Sequence, residues 1–340
     1  MSDVGLFPSA TITTEAALRD LSSPRPRVRA AAAAALGEAE PERRAEVVAA
    51  LVKAIDDIDV DVRAAAALAL GDLGDASAAE ALILRLDDGV PAVRQCAAMA
   101  LGRLRAPAGF EPLRRALEKG PPDLRFQAAT SLVEIDAASA AGPLAAALAD
   151  PDAEVVGAAA LALGAIGDAG AADKLAPLLD HASQRTRFDA AYALAELGDE
   201  RAVPVLARAA EQRDLCWDAL EAMEAIGPAA ADALARITGA RGLDPEHRLR
   251  AAAALLAVAP EHAEAGAARQ VLVEPLRGWR RRRRGLAVEL LGRVGDVWAA
   301  AALEKLRSSP AGRRMADEIG DALRRIRERS SPSPSKPPSD

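Results

Sequence analysis

Aromatic side chains are scarce in this chain, with three Trp, four Phe and one Tyr among 340 residues. Rings ordinarily supply much of the area a core buries, so this interior has to be built by close approach of small aliphatic groups. Cysteine is scarcer still. Cys96 and Cys216 stand 120 residues apart with no Cys-x-x-Cys pairing, which excludes a disulfide framework and points to buried thiols in a reducing compartment. No run of about 18 apolar residues is present to form a membrane helix. Met1 to Ala10 has no basic segment followed by an apolar one, so no secretory signal is expected and the expected location is cytoplasmic. The phosphate-loop pattern Gly-x-x-x-x-Gly-Lys-Ser/Thr is missing. The three histidines, His181, His247 and His262, fall in variable stretches with no Ser or Cys partner suited to nucleophilic catalysis. No metal, cofactor or catalytic residue is expected.

What the chain does have is alanine and repetition. Hydrophobic residues make up 51%, much of it alanine, the residue with the best helix propensity. A short phrase returns along the chain: a hydrophobic residue, an arginine, an alanine-rich stretch, then Leu-Gly-x-Leu-Gly-Asp. Its first residue falls at 28, 62, 93, 124, 155, 186, 215, 249, 283 and, weakly, 315. Spacings of 29 to 34 residues are the signature of stacked supersecondary units that cannot bury a face alone.

Residues 75 to 104 show one unit. Gly74 can close a helix in a left-handed conformation, and Asp75 can cap the next one. Ala78, Leu82, Ile83 and Leu86 form the apolar stripe of a first helix, which Asp87, Asp88 and Gly89 end. Pro91 opens a second helix carrying Val93, Ala97, Ala100, Leu101 and Leu104 on one face. The Leu-Gly pairs read as helix-end glycines.

Stretches such as DVDVRAAAALALGDLGD (59–75) and DPDAEVVGAAALALGAIGD (150–168) resemble the HEAT-like repeat of the phycobilisome-lyase type, over roughly residues 25 to 305. The resemblance implies an all-α solenoid of about nine to ten helical hairpins. The expected organisation is an N-terminal cap (1–24), a solenoid (25–329) whose last repeat, about 306–329, acts as C-terminal cap, and a disordered Pro/Ser-rich tail (330–340). Scaffolds, bilin lyases and deoxyhypusine hydroxylase share such repeats. The hydroxylase pattern needs His-Glu pairs, whereas His181, His247 and His262 precede Ala182, Arg248 and Ala263. That absence argues against di-iron chemistry, and no separate motif points to a bilin.

Three sets of residues stand out. Arg29, Arg63, Arg94, Arg125, Arg187, Arg250 and Arg284 take the second place of the phrase, and Asp59, Asp61, Asp88, Asp123, Asp152, Asp180 and Asp214 lie in the preceding loops. They suggest a structural arginine–carboxylate ladder, broken at Val156 and Cys216. The resemblance implies that places 3 and 7 of each second helix line a concave surface. Four of the eight aromatics occupy those columns, and Phe126, Phe188, Tyr192 and Trp217 with Met99 and Leu161 form a candidate partner-binding strip. An alternative is that the rings fill gaps between helices. Third, Arg277 and Arg280, Arg281, Arg282, Arg283 and Arg284 form a basic patch. Residues 277–329 hold 14 Arg and one Lys against seven acids and the tail is neutral, so the first 276 residues carry −15 while the whole chain carries −7.

The resulting expectation is a non-enzymatic scaffold that binds a protein or peptide partner, of unknown oligomeric state. A bilin-lyase-like protein and a nucleic-acid-binding array using Arg280 to Arg284 are the alternatives.

Overall fold

A computed structural model describes residues 12–278 and 280–330. The expected tail after Ser330, the first eleven residues and Trp279 lie outside the described residues. Among the described residues there are α-helices and short 3-10 turns and no strand. The helices pair as antiparallel hairpins that stack, and the chain divides into two compact units between Lys174 and Leu175.

Alanine shapes the first unit. Its second helices, Val60–Leu73, Pro91–Leu104 and Ala153–Ile166, bury alanine and leucine along one face. Val60–Leu73 packs on Pro91–Leu104, which packs on the next helix in turn. Leu70, Leu101 and Leu132 are fully buried, and removing such a leucine to alanine costs about 2–5 kcal/mol.

The recurring Leu-Gly glycines divide into two kinds, which corrects their reading as helix ends. The second of each phrase does end a helix: Gly74 has φ 68° and closes Val60–Leu73 in the left-handed region. The first is a packing position. A Cβ on Gly71 would stand 2.8 Å from the Ala100 Cα, and one on Gly102 would stand 3.0 Å from the Ser131 Cβ. Glycine is therefore what lets successive second helices touch backbone to backbone.

Aspartates punctuate the chain as expected. Asp75 accepts from the Ser77 amide and Asp59 from those of Asp61 and Val62. One joint lacks the usual glycine: residues Pro122–Ala147 run as two helices bent at Asp136, where φ is −155° and ψ 96°. The Asp136 carboxylate accepts from the Ser139 amide and hydroxyl, starting the second half.

In the second unit the hairpins are less regular. Ala231–Gly239 packs on Pro245–Val258, and Ala265–Val273, continued by the turn Glu274–Arg277, packs on Pro245–Val258 and Arg281–Val294. The last helix, Ala316–Ser330, packs on Arg281–Val294 and Val297–Arg307 through Ile319, Ala322, Leu323 and Ile326. No helix among the described residues is long and apolar enough to cross a membrane.

Candidate functional site

The arginine ladder exists in the first unit, with Asp88 and Asp123 among its acids as expected and Asp57 and Asp150 in place of Asp59 and Asp152. Arg29, Arg63, Arg94 and Arg125 each stand fourth in their helix. Arg29 donates through Nε and Nη2 to the two oxygens of Asp57, both at 2.7 Å. Arg63 holds Asp88 in the same way at 2.9 and 3.0 Å. Arg125 holds Asp150 at 2.7 Å, and Arg94 reaches Asp123 through Nη2. Asp59 and Asp152, two of the expected acids, instead cap helices.

Each guanidinium also donates backwards to a carbonyl of its own preceding loop. Arg63 reaches the Asp57 carbonyl and Arg94 the Asp88 carbonyl, both at 2.9 Å. Asp57 thus receives Arg29 on its carboxylate and Arg63 on its backbone, which threads one loop to the next. The Arg29 guanidinium, helped by the Asp59 amide, holds the Asp57 carboxyl below its ordinary range. At Asp88 and Asp150 burial works in the opposite direction, but the arginine and amide hydrogen bonds outweigh it and both are lowered.

Arg187 and Arg250 do not join this ladder. Arg187 donates to the His181 and Ala182 carbonyls, and among the described residues it meets no carboxylate. Arg250 lies over the Trp217 ring, with Cζ 4.2 Å from its centroid. Arg187 is fourth in its helix and lacks only the acid, whereas for Arg250 the reason is register. His247, only 7% exposed, fills the buried place that Val62 and Val93 fill in the first unit, so Arg248, fourth in its helix, is the ladder residue.

The aromatic strip is partly surface and partly core. In the first unit Phe126 is 40% exposed, while Met99 and Leu161 are half-buried. In the second unit Trp217 is 52% exposed and Tyr192 half-buried. Phe188, at 5% exposure, belongs to the core and is removed from the candidate surface. With Val205, Ala209 and Leu215 it lines a cavity of about 230 Å³. Its ring centroid is 6.3 Å from that of Tyr192. Burial, and the charges of Glu221, Glu196 and Asp218, push the Tyr192 phenol up, so the surroundings of Tyr192 are acidic, while Trp217 carries the Arg250 cation.

Buried acid and thiol groups offer little chemistry. Asp189 is buried on Gln184–Glu196, where desolvation raises its carboxyl although Arg185 lies 2.9 Å away. Burial pushes the Cys216 thiol up to about 11, so near neutral pH it is a protonated thiol and a poor nucleophile. Among the described residues no three His, Cys, Asp or Glu side chains converge on a metal position.

The basic run opens the helix Arg281–Val294 and fans out around it. Arg282 is exposed and pairs with Glu246 at 3.1 Å. Arg284 turns inward to the Gly278 carbonyl. Arg280 and Arg283 line one cavity and Arg277 another. The run is therefore several local environments.

Residues 14–95, 79–160 and 141–224 match the HEAT repeats family. The chain belongs to the HEAT-repeat family. Solved structures similar to this HEAT-repeat chain include Kap121p, at 16% identity and TM-score 0.63 over 92% of this chain and 44% of that one. Importin beta is similar at 15% identity and TM-score 0.58, over 95% and 51% of the respective chains. These likenesses establish the α-solenoid fold. The CpcE–CpcF complex of phycocyanin lyase from Nostoc sp. is similar at 25% identity over 79% of this chain and 98% of that one, with TM-score 0.38. Among curated proteins nothing matches.

Two residues of this HEAT-repeat chain were missed by periodicity. Arg248 and His247 follow Asp244-Pro245-Glu246, a capping aspartate and a proline of the kind that opens other second helices. Aligning on the capping Asp rather than on the first apolar residue would have found both.

Proposed function

We propose that this chain is a non-catalytic HEAT-repeat scaffold that holds a segment of a partner protein on the second-helix face of its second unit. The observation that carries the reading is Trp217, a large ring left 52% exposed in a chain nearly devoid of rings and held in place by Arg250 stacked at 4.2 Å. A pre-positioned, half-exposed aromatic with a cation beside it loses little freedom on binding, which is what makes such residues the energetic anchors of interfaces. On the same unit Tyr192 carries the carboxylates of Glu221, Glu196 and Asp218 near its phenol, and in this reading they form the polar part of the surface. In the same reading Thr14–Asp20 and Ala316–Ser330 serve as end caps that keep the terminal hairpins from presenting an apolar face.

The test is affinity capture with the wild type beside Trp217→Ala, read by mass spectrometry, with melting temperature as control. A partner retained by the wild type and lost by a variant that melts within a degree or two supports the reading. Equal retention by both chains overturns it.

A further inference from the structure

The fourth position of the second helix holds arginine in both units, Val156 and Ala219 excepted, yet among the described residues only the first unit supplies its carboxylate. Arg187, Arg248 and Arg284 take that position in the second unit. Arg187 and Arg284 keep the backward half of the arrangement, whereas Arg248 makes its backward bond with Nε, the nitrogen that meets the carboxylate in the Arg29, Arg63 and Arg125 rungs, and to a residue ten before it. Arg187 donates to the His181 carbonyl at 2.7 Å, Arg248 through Nε to the Thr238 carbonyl at 2.9 Å, and Arg284 to the Gly278 carbonyl. Among the described residues none of the three meets a carboxylate, and the buried Nε of Arg284 has no partner.

The acids are replaced at their own positions. Asp88 and Asp150 stand 25 residues beyond Arg63 and Arg125. At the same interval Gln212 follows Arg187, Val273 follows Arg248 and Ser309 follows Arg284, while the Arg29–Asp57 and Arg94–Asp123 rungs span 28 and 29 residues. Asp88 also stands six residues before Arg94, whose backward bond it accepts; six before Arg284 stands Gly278, which has no side chain. At each of the three places there is a cavity: about 230 Å³ beside Arg187 and Gln212, about 340 Å³ beside Arg248 and Gly278, and about 470 Å³ beside Arg284 and Ser309. Three times an arginine without a bonded carboxylate borders an open space, and at Arg248 the Glu274 side chain lines that space without bonding to the arginine.

We propose that the cavity at Arg248 is a carboxylate-binding site, a vacant rung of the ladder that takes an Asp or Glu side chain from an acidic peptide segment of a partner protein. With Nε of Arg248 engaged by the Thr238 carbonyl, its terminal nitrogens are the donors for a carboxylate, as in the Arg94 rung, where Nη2 alone reaches both oxygens of Asp123. Arg280 and Arg283 line the same cavity against the single carboxylate of Glu274, so the wall is cationic. Pro245, Leu249, Val271 and Pro275 make the remainder apolar. A singly charged carboxylate on a methylene stem suits that mixture better than a dianionic phosphate, whose second charge would face Glu274 and apolar carbon. The adjoining helix Arg281–Val294 begins with four arginines and no acid in its first turn. Like charges at the positive end of a helix dipole are unfavourable; Glu246 pairs with Arg282 and Asp244 lies within electrostatic reach of Arg283, and a bound anion adds to that relief.

The deciding experiment restores the rung. Gly278 has φ −74° and ψ 166°, a conformation open to any residue, and a Cβ there lies 3.3 Å from the Pro275 carbonyl oxygen. Binding of a fluorescein-labelled hexaglutamate peptide to the full chain is followed by anisotropy at low salt, for the wild type, Gly278→Asp, Arg248→Gln and Trp217→Ala. The wild type is expected to bind. Gly278→Asp, which seats its own carboxylate in the cavity, is expected to weaken binding about tenfold or more, with a melting temperature unchanged or raised. Arg248→Gln is expected to weaken it similarly, which keeps the test decisive if Gly278→Asp folds poorly. Trp217→Ala is expected to bind as the wild type does, separating this site from the surface proposed above. No binding by the wild type, wild-type affinity in folded Arg248→Gln, or displacement of the peptide by inorganic phosphate or duplex DNA at comparable charge concentration overturns the proposal.

Discussion

The two units of this chain share a stacking rule and differ in how their loops are tied. In the first, four guanidiniums are each satisfied by a carboxylate of the following loop, and Asp57 and Asp88 take part in two rungs each. In the second, the arginines remain and glutamine, glycine and serine stand where acids would. Each unit keeps its apolar stack, which teaches that the ladder is an addition to a fold held by alanine and leucine contacts. Where the addition is dropped, cavities and guanidiniums without a facing carboxylate appear, and those are the features a ligand can use.

The stacking glycines offer the sharpest way to break this contrast. Gly71→Val pushes a side chain into the Ala100 backbone, 2.8 Å from where its Cβ would be, and is expected to cost about 3 kcal/mol. A Cβ added at Gly320, in the last helix, would meet no atom within 4 Å, so Gly320→Ala is expected to stabilise by about 0.5–1 kcal/mol. Chemical denaturation of both variants checks the pair, and a mild effect at Gly71 would mean that the helices are not locked backbone to backbone.

The ladder itself gives the next largest effect. Asp88→Ala leaves the largely buried Arg63 without its carboxylate and is expected to cost about 2–3 kcal/mol, against about 0–0.5 kcal/mol for Gln212→Ala at the corresponding place of the second unit. The Asp57, Asp88 and Asp150 carboxyls are lowered in the folded chain. The unfolded chain therefore binds protons more readily than the folded one, so the rungs stabilise fully above the ordinary carboxylate range and lose that contribution as pH falls through their lowered values. Hydrogen exchange of the first-unit loops on acidification measures this, with the second-unit loops as reference.

Asp189 sharpens the contrast with the opposite sign. Burial raises its carboxyl, so the folded chain binds that proton more tightly, and a cost to stability appears as pH rises from the ordinary carboxylate value through the raised one. Asp189→Asn is expected to stabilise by about 1 kcal/mol at pH 7, with the gain shrinking as pH falls toward the ordinary carboxylate range. Melting curves across pH check both the size and the slope.

Much of the fold was legible because its rules are local and repeated. Asp75 and Asp59 announce helix starts, Pro91 stands in a first turn, and Gly74 ends a helix, each for reasons carried by one or two residues. Register in the eighth repeat was not legible from hydrophobicity, because a buried histidine, His247, stands where valine stands elsewhere and the next apolar–arginine pair, Leu249-Arg250, lies two residues later. The candidate surface was half legible. Phe126, Phe188 and Trp217 share one column, and nothing local separates the buried ring from the exposed ones.

The amino-acid sequence by itself determined the helical hairpin, its period and the all-α solenoid, since propensity, capping and apolar spacing act over a few residues and recur. Tertiary structure alone decided which arginine meets which acid, which ring faces solvent and where a rung is vacant. Those outcomes depend on side chains 25 to 30 residues apart brought together by stacking, and small differences in loop length move such partners by several ångströms without changing the local pattern.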